Sequence, residues 1–500
     1  MGRRSRGHAK TLFLFLVVGL PLASIGIDVL RAQSTITPKT KTHAKPPDAG
    51  ELHAVFVSDI HFEPFWDPAK AQQIAAAPAS QWRSVLASPA SPNRDAQWSA
   101  LEQKCPSRGK DTSYTLYASS LKGMRAAAPG AKFITVTGDL ISHEFPCKFN
   151  ALFPHADPAA YRNFVEKTIE FVLGELRAAL PGARVYAVLG NNDSDCGDYQ
   201  LDEHSAFLSA LTDSFTLGLP PAARQDAALT FADAGYYSAS LPAPLDHTSV
   251  LVLADTFMSR RFKSCSGASD SAGADAQLAW LGTQLSDARR RGEHVWILGH
   301  IPPGIDPYST IVKMRNVCDG AAPEMFLSSD ELPNLLAQYA DVIQLALFAH
   351  THMDEMRFLK AGESAASDAP GVAVKLVPSI SPINGNTPSF LVAAIDPSTG
   401  ALADYRVLTH EAADSWKEEY DFAKAYHQAS FSASTLHALT TGFESDTAAA
   451  SDTSEVYLRN YFVRDRSLEL KPFWPQYTCA LSAYTKEGYR SCICSSHPGQ

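Results

Sequence analysis

Five short polar motifs stand out for their side-chain chemistry: Asp59-x-His61, Gly138-Asp139, Gly190-Asn191-Asn192-Asp193, Gly299-His300 and His350-x-His352. Between them they offer Asp59, His61, Asp139, Asn191, His300, His350 and His352. Neutral imidazole, carboxylate and amide oxygen are donors for a pair of divalent cations. Zinc suits this mixture best, with manganese or iron as alternatives. A carboxylate has two oxygens and can span two ions, so Asp139 is the natural bridge.

The elements that must bring these residues together are legible in the apolar runs preceding them. His53–Ser58, Lys132–Thr137, Ala183–Leu189, His294–Leu298 and Val342–Ala349 are short, rich in Val, Ile, Leu and Phe, and each stops at one of the motifs. Ser249–Ala254, Val372–Val377 and Phe390–Ile395 have the same character. Such runs read as strands covered on both faces. Helical patterns over Asp111–Ala128, Ala159–Leu180 and Ala274–Arg291 lie between them, which predicts an α/β core. In open α/β sheets, ligands collect beyond the carboxyl ends of strands, so five strand ends would converge on one place. Residues two apart on an extended segment face the same way, so the D-x-H and H-x-H pairs should approach jointly. The glycines before Asp139, Asn191 and His300 should permit tight turns. From about residue 411 the chain becomes polar and helix-prone (SWKEEYDFAKAYHQ), predicting an appended helical subdomain over 411–500.

Composition narrows the class. The 500 residues are 45% hydrophobic and 19% charged, enough for a large core and unlike a disordered chain. The net charge of -10 argues against tracking a nucleic-acid backbone. Arg3, Arg4, Arg6 and Lys10 precede an apolar run from Leu12 to Ile27, which resembles a secretory signal peptide over 1–32. Residues 33–50 read as a linker, and 51–410 as the main domain. No later stretch approaches a membrane span. The protein is therefore expected outside the cytoplasm, secreted or periplasmic, and as a monomer. Eight cysteines in an exported chain favour disulfides. Cys492 and Cys494 form C-x-C rather than C-x-x-C, which speaks against a zinc–thiolate site.

The order D-x-H, G-D, G-N, G-H, H-x-H resembles the calcineurin-like metallophosphoesterases. GDLISH, GHIPPG, HTHMDE, NGNTPSFLVAAIDPSTGALADY and the tail YTCALSAYTKEGYRSC are similar to the acid sphingomyelinase-like branch, over roughly residues 52–494. The resemblance implies a four-layer β-sandwich flanked by helices, with a disulfide-pinned helical C-terminal subdomain. It implies one ion held by Asp59, His61, Asp139 and His352, and a second by Asp139, Asn191, His300 and His350. A bridging hydroxide would attack phosphorus in line with the leaving oxygen. It also implies a Cys479–Cys492 bridge. Cys265–Cys318, Cys147–Cys196 and Cys105–Cys494 are expected as the remaining pairs.

Two departures shape the functional reading. Where the family usually carries a His after the metal-binding Asn, this chain has Asn192, an amide that cannot supply a proton but can hydrogen-bond a phosphate oxygen. His143, four residues after Asp139, is then the expected proton donor to the leaving group. Acid sphingomyelinases also carry an N-terminal saposin domain, for which residues 33–50 leave no room, so small phosphoesters are favoured over membrane lipid as substrates. Asp354 and Glu355 are either orienting partners of the metal ligands or solvated loop charges. The reading is thus an exported dimetal phosphodiesterase acting on small-molecule phosphoesters of nucleotide or phospholipid-headgroup type. The GNND motif, similar to endopolyphosphatases, keeps a polyphosphatase or phosphomonoesterase open. A phosphate-binding module without turnover is the alternative outside the enzymes.

Overall fold

Runs such as FITV and SFLVAAI bury every residue, which a strand covered on both faces requires. The computed structural model describes residues 51–360, 371–463 and 467–496; the signal-peptide and linker expectations for 1–50 lie outside the described residues. The strands are β1 (Leu52–Val57), β2 (Phe133–Val136), β3 (Arg184–Ala187), β4 (Tyr237–Ser240), β5 (Thr248–Val252), β6 (His294–Leu298), β7 (Ile343–Phe348), β8 (Glu355–Lys360), β9 (Gly371–Leu376), β10 (Ser389–Ile395), β11 (Leu402–Ala412) and β12 (Ser415–Asp421). They form two six-stranded sheets, ordered β12-β11-β10-β1-β2-β3 and β4-β5-β6-β7-β9-β8.

The sheets meet through aromatic packing. Trp296 of β6 lies edge-on to Phe56 of β1 at 5.9 Å and to Phe133 of β2 at 5.6 Å. Its indole N–H donates to the Gly400 carbonyl at 2.8 Å. Helices Tyr114–Ala127 and Pro158–Ala179 pack on the first sheet, and Ala272–Arg291 packs on the second. This is the mixed α/β core that the strand and helix patterns predict, with two sheets flanked by helices as the resemblance implies.

β1, β2 and β3 run parallel, as do β5, β6, β7 and β9, so the motif-bearing ends within each sheet share one edge. Among the described residues, no helix is long and apolar enough to cross a membrane.

The tail departs from expectation. SWKEEYD is not helical but is β12, paired antiparallel with β11 at the sheet edge. The pairing overrides a Lys/Glu composition that alone suits helix. Helices do follow, at Ala433–Ser445, Asp452–Tyr461, Trp474–Ser482 and Lys486–Ser496; the first and third pack on β8.

The disulfides are Cys105–Cys147, Cys196–Cys265, Cys318–Cys494 and Cys479–Cys492. Cys479–Cys492 is as the resemblance implies. The Cys147–Cys196, Cys265–Cys318 and Cys105–Cys494 pairings are overturned. Cys105 ends one helix (Arg94–Lys104) packed against the helix bearing Cys147, and Cys196 meets Cys265 where the loops after β3 and β5 lie side by side.

Candidate active site

The five motifs converge beyond the carboxyl ends of β1, β2, β3, β6 and β7. Asp139 lies at the centre. Its Oδ2 is 3.4 Å from His61 Nε2 and 3.3 Å from His300 Nε2. On one side, His352 Nε2 lies 3.1 Å from His61 Nε2 and 3.4 Å from Asp59 Oδ1. On the other, His300 Nε2 lies 3.0 Å from Asn191 Oδ1 and 3.3 Å from His350 Nδ1. The contacts divide into two groups that share Asp139.

The backbone that aims these groups is not extended. Asp59, His61, Asp139, His350 and His352 all have positive φ, between 42° and 70°. Each D-x-H or H-x-H pair therefore sits in a curled loop past its strand, not on the flat segment the spacing suggested. Left-handed conformations cost a non-glycine residue on the order of 1–3 kcal/mol and persist where surrounding structure imposes them. Asp and His are among the residues that tolerate them best. The glycines act differently from one another. Gly138 has φ +91°, and a Cβ there would meet His300 Nδ1 at 2.7 Å. Gly190 keeps an ordinary φ, but a Cβ there would collide with the Asp139 carboxylate.

Hydrogen bonds fix the imidazole tautomers. His61 Nδ1 donates to the Ile141 carbonyl at 3.0 Å and His300 Nδ1 to the Thr137 carbonyl at 2.7 Å. Each ring can then turn a lone pair on Nε2 inward. Both Asp59 carboxylate oxygens are buried without a hydrogen-bond donor. Lone pairs from carboxylate, amide oxygen and imidazole thus face one another at close range, an arrangement that costs free energy unless positive charge is supplied. The donor set fits two divalent cations. Without them, burial and the Asp139 charge push the Asp59 pKa up to about 7. Burial and neighbouring histidines depress His61 to about 4 and His350 to about 3. Burial opposes charge on His300, yet Asp139, Asp59 and Asp255 together raise it to about 10.

His143 stacks on His61 at 4.0 Å between ring centroids and lines the cleft. Asp111 accepts from its backbone N–H at 2.8 Å and from Nδ1 at 3.1 Å. Burial opposes protonation of His143, but Asp111 outweighs it and raises the pKa. Asn192 grips Asp139: its backbone N–H donates to Oδ1 at 2.8 Å and its side-chain amide to Oδ2 at 2.9 Å.

Several supporting residues received no role in the motif reading, even Asp193, which closes one of the motifs. Asp193 accepts from the backbone of Gly190, Leu140 and Ile141, tying the loops after β2 and β3 together. Asp255 accepts from His300 and Ile301 backbone N–H groups; it directly follows the run SVLVLA, so the strand-end rule could have found it. Asp198 accepts from Asn191 Nδ2 at 2.7 Å, turning the amide oxygen inward, and Tyr199 OH lies 3.0 Å from His350 Nε2. Asp354 and Glu355 serve neither expected purpose. They are buried partners of Lys375 and Arg357, and neither reaches a metal-facing histidine.

The site opens into a cleft of about 980 Å³ that takes in Asp139, Asn191, His350 and His352 on its floor and Phe326, Tyr461 and Arg261 on its walls.

The chain is similar to known proteins over most of its length. The chain is 25% identical over 420 residues to human acid sphingomyelinase-like phosphodiesterase 3b, covering 79% of this chain and 86% of the relative. It is 23% identical over 401 residues to the mouse cyclic GMP-AMP phosphodiesterase SMPDL3A, covering 77% and 82%. Among solved structures, a dimetal phosphatase from Danio rerio matches 77% of this chain and 100% of its own, with a TM-score of 0.40 and 13% identity. The calcineurin-like phosphoesterase family model matches residues 52–354, all five motifs included, and the chain is a member of that family, a metal-dependent phosphoric ester hydrolase.

Proposed function

We propose that this protein is an exported phosphodiesterase that cleaves small phosphoesters of nucleotide or phospholipid-headgroup type. The observation that carries the reading is the convergence of two histidine-bearing groups, through His61 Nε2 and His300 Nε2, on Oδ2 of Asp139 at the floor of an open cleft. When bound, two divalent cations, zinc first, would acidify a shared water and draw charge from the phosphoryl oxygens. Asp59, His61, Asp139 and His352 would hold one, and Asp139, Asn191, His300 and His350 the other. A cleft of about 980 Å³ has the dimensions of a small-ligand site.

The residues of this chain do the rest. Asp111 holds Nδ1 of His143, which leaves Nε2 to carry a proton toward the cleft and hand it to the leaving oxygen. Asn192 fixes the orientation of the Asp139 carboxylate and cannot serve as an acid. Four disulfides suit an oxidising compartment, which supports export. The test is a substrate panel on metal-reconstituted protein: bis(p-nitrophenyl) phosphate, p-nitrophenyl phosphate, a cyclic dinucleotide, a phosphocholine ester and polyphosphate. Diester cleavage that vanishes on chelation and returns with zinc is expected. Preferential hydrolysis of the monoester or of polyphosphate would overturn the diesterase reading, and metal binding without turnover would make the protein a binding module.

A further inference from the structure

The two groups that share Asp139 are not supported alike. In the group of His61 and His352, both Asp59 oxygens and His352 Nδ1 are buried without a hydrogen-bond partner. In the other, two donors lean on the loop after β3. Asn191 Nδ2 donates to Asp198 Oδ1 at 2.7 Å, and His350 Nε2 lies 3.0 Å from the Tyr199 hydroxyl. Both supports meet one cation. The Arg261 guanidinium reaches Asp198 Oδ2 at 3.3 Å and lies over the Tyr199 ring, with Cζ 4.0 Å from its centroid. Elsewhere on the rim of the cleft, Arg260 and Lys313, joined by Arg315, converge on Glu324. Arg261 instead has as neighbours the two side chains that Asn191 and His350 lean on.

The backbone builds this contact. The Lys263 N–H donates to the Tyr199 carbonyl at 3.0 Å and the Leu201 N–H to the Lys263 carbonyl at 3.3 Å, which lays the Arg261 segment beside the loop after β3. Ser259 Oγ accepts from the Arg261 N–H at 3.1 Å, and Cys196–Cys265 joins the same two segments covalently. The Arg261 side chain is exposed on the cleft wall. An isolated ion pair contributes little there, but this guanidinium has two partners at once. Its plane rests on an aromatic face while an N–H in that plane reaches a carboxylate, which an ammonium cannot do. Asp198, engaged through Oδ2, keeps Oδ1 on Asn191, and Tyr199, covered on its face, keeps its hydroxyl on His350. The Asn191 oxygen and His350 Nδ1, both turned toward His300 Nε2, are then the atoms left to face the second ion of the proposed pair.

We propose that Arg261 is a positioning residue for the second ion: by bracing Asp198 and Tyr199 together it holds Asn191 and His350 in place as ligands, and it leaves the first ion alone. The inference rests on the two-ion reading of the site and not on the identity of the substrate.

The test is calorimetric titration of the chelated full chain with zinc, which reads two affinities without turnover. Tyr199→Phe removes only the hydroxyl facing His350 and marks the second ion by weakening it about tenfold. Arg261→Ala should weaken that same ion by about fivefold and leave the other affinity and the thermal midpoint unchanged. Arg261→Lys keeps the charge but cannot rest on the ring and reach the carboxylate at once, so it should lose about as much. Combined with Tyr199→Phe, Arg261→Ala should add less than its separate effect, since both act on His350. The proposal is overturned by an equal fall in both affinities, by no fall, by no effect of Tyr199→Phe, or by a fall in the ion that Tyr199→Phe spares. It is also overturned if Arg261→Lys binds like the parent, which would make charge rather than bracing the cause. A parent that takes up fewer than two ions would overturn the two-ion reading and the proposal with it. Selective weakening in a protein that hydrolyses no ester would sink the phosphodiesterase reading and leave the role of Arg261 intact.

Discussion

Two buried polar clusters lie two residues apart in sequence and are built on opposite rules. Around Asp139 the carboxylates and imidazoles face one another, and neither Asp59 oxygen accepts a hydrogen bond. Just beyond His352, Asp354 meets Lys375 and the Tyr420 hydroxyl, and Glu355 meets Arg357. Each carboxylate in the second cluster has a cation supplied by the chain itself. The first has been left short of positive charge. Burial alone does not separate a functional polar group from a structural one, since the carboxylates of both clusters are nearly inaccessible. The distinguishing feature is whether the sequence provides the counter-charge or leaves it to come from solution.

This contrast can be broken by substitution. The largest expected effect is at Asp139: Asp139→Asn should lower hydrolysis of bis(p-nitrophenyl) phosphate by at least about a thousandfold and lower metal content measured by elemental analysis, with the fold retained. Full activity with two bound ions would refute the bridging assignment. The mirror experiment is Lys375→Met, which strands Asp354 without its cation. It should cost about 3–5 kcal/mol of stability in denaturant titration, with turnover per folded molecule preserved. A variant as stable as the parent would show that the second cluster is not a paired structural one.

His143 sharpens the comparison from its border, since its charge partner Asp111 comes from the chain but its proton is meant for substrate. His143→Ala should slow alkyl phosphodiesters by about a hundredfold while sparing p-nitrophenyl esters, whose leaving group needs no proton. Equal losses on both would remove its role as acid. The smallest effect is expected at the rim. Three cations hold the Glu324 pKa down to about 2, although burial alone would raise it. A carboxylate depressed in the folded state contributes stability above its unfolded pKa of about 4.3 and loses it as pH falls toward 2. Glu324→Gln should therefore flatten part of the acid limb of thermal stability below pH 4.3 or so, and an unchanged limb would count against the ion-pair cluster.

Much of the site was readable because each residue that gathers around Asp139 follows an apolar run that reads as a covered strand. The strands β1, β2, β3, β6 and β7 fall where their runs predict, with ends that differ by at most two residues. β12 was misread because Lys417, Glu418 and Glu419 favour helix in isolation, whereas the exposed edge of β11 supplies a pairing partner no local pattern reveals. β8 was invisible because Glu355 and Arg357 look like solvent-facing charges, and only their mutual pairing lets the strand be buried. Asp111 was hidden by distance: it lies 32 positions from His143, on a segment with no chemical signature. The left-handed backbone at Asp59 and His352 has no signal in residue type strong enough to predict it.

The seam between the two sheets has a consequence for assembly. Asp59, His61, Asp139 and Asn191 are carried by the first sheet, and His300, His350 and His352 by the second. Neither half carries the whole donor set, although Asp59, His61 and Asp139 already cluster on the first. Cations held as proposed would therefore be clasped from both sides of the joint that Trp296 fills.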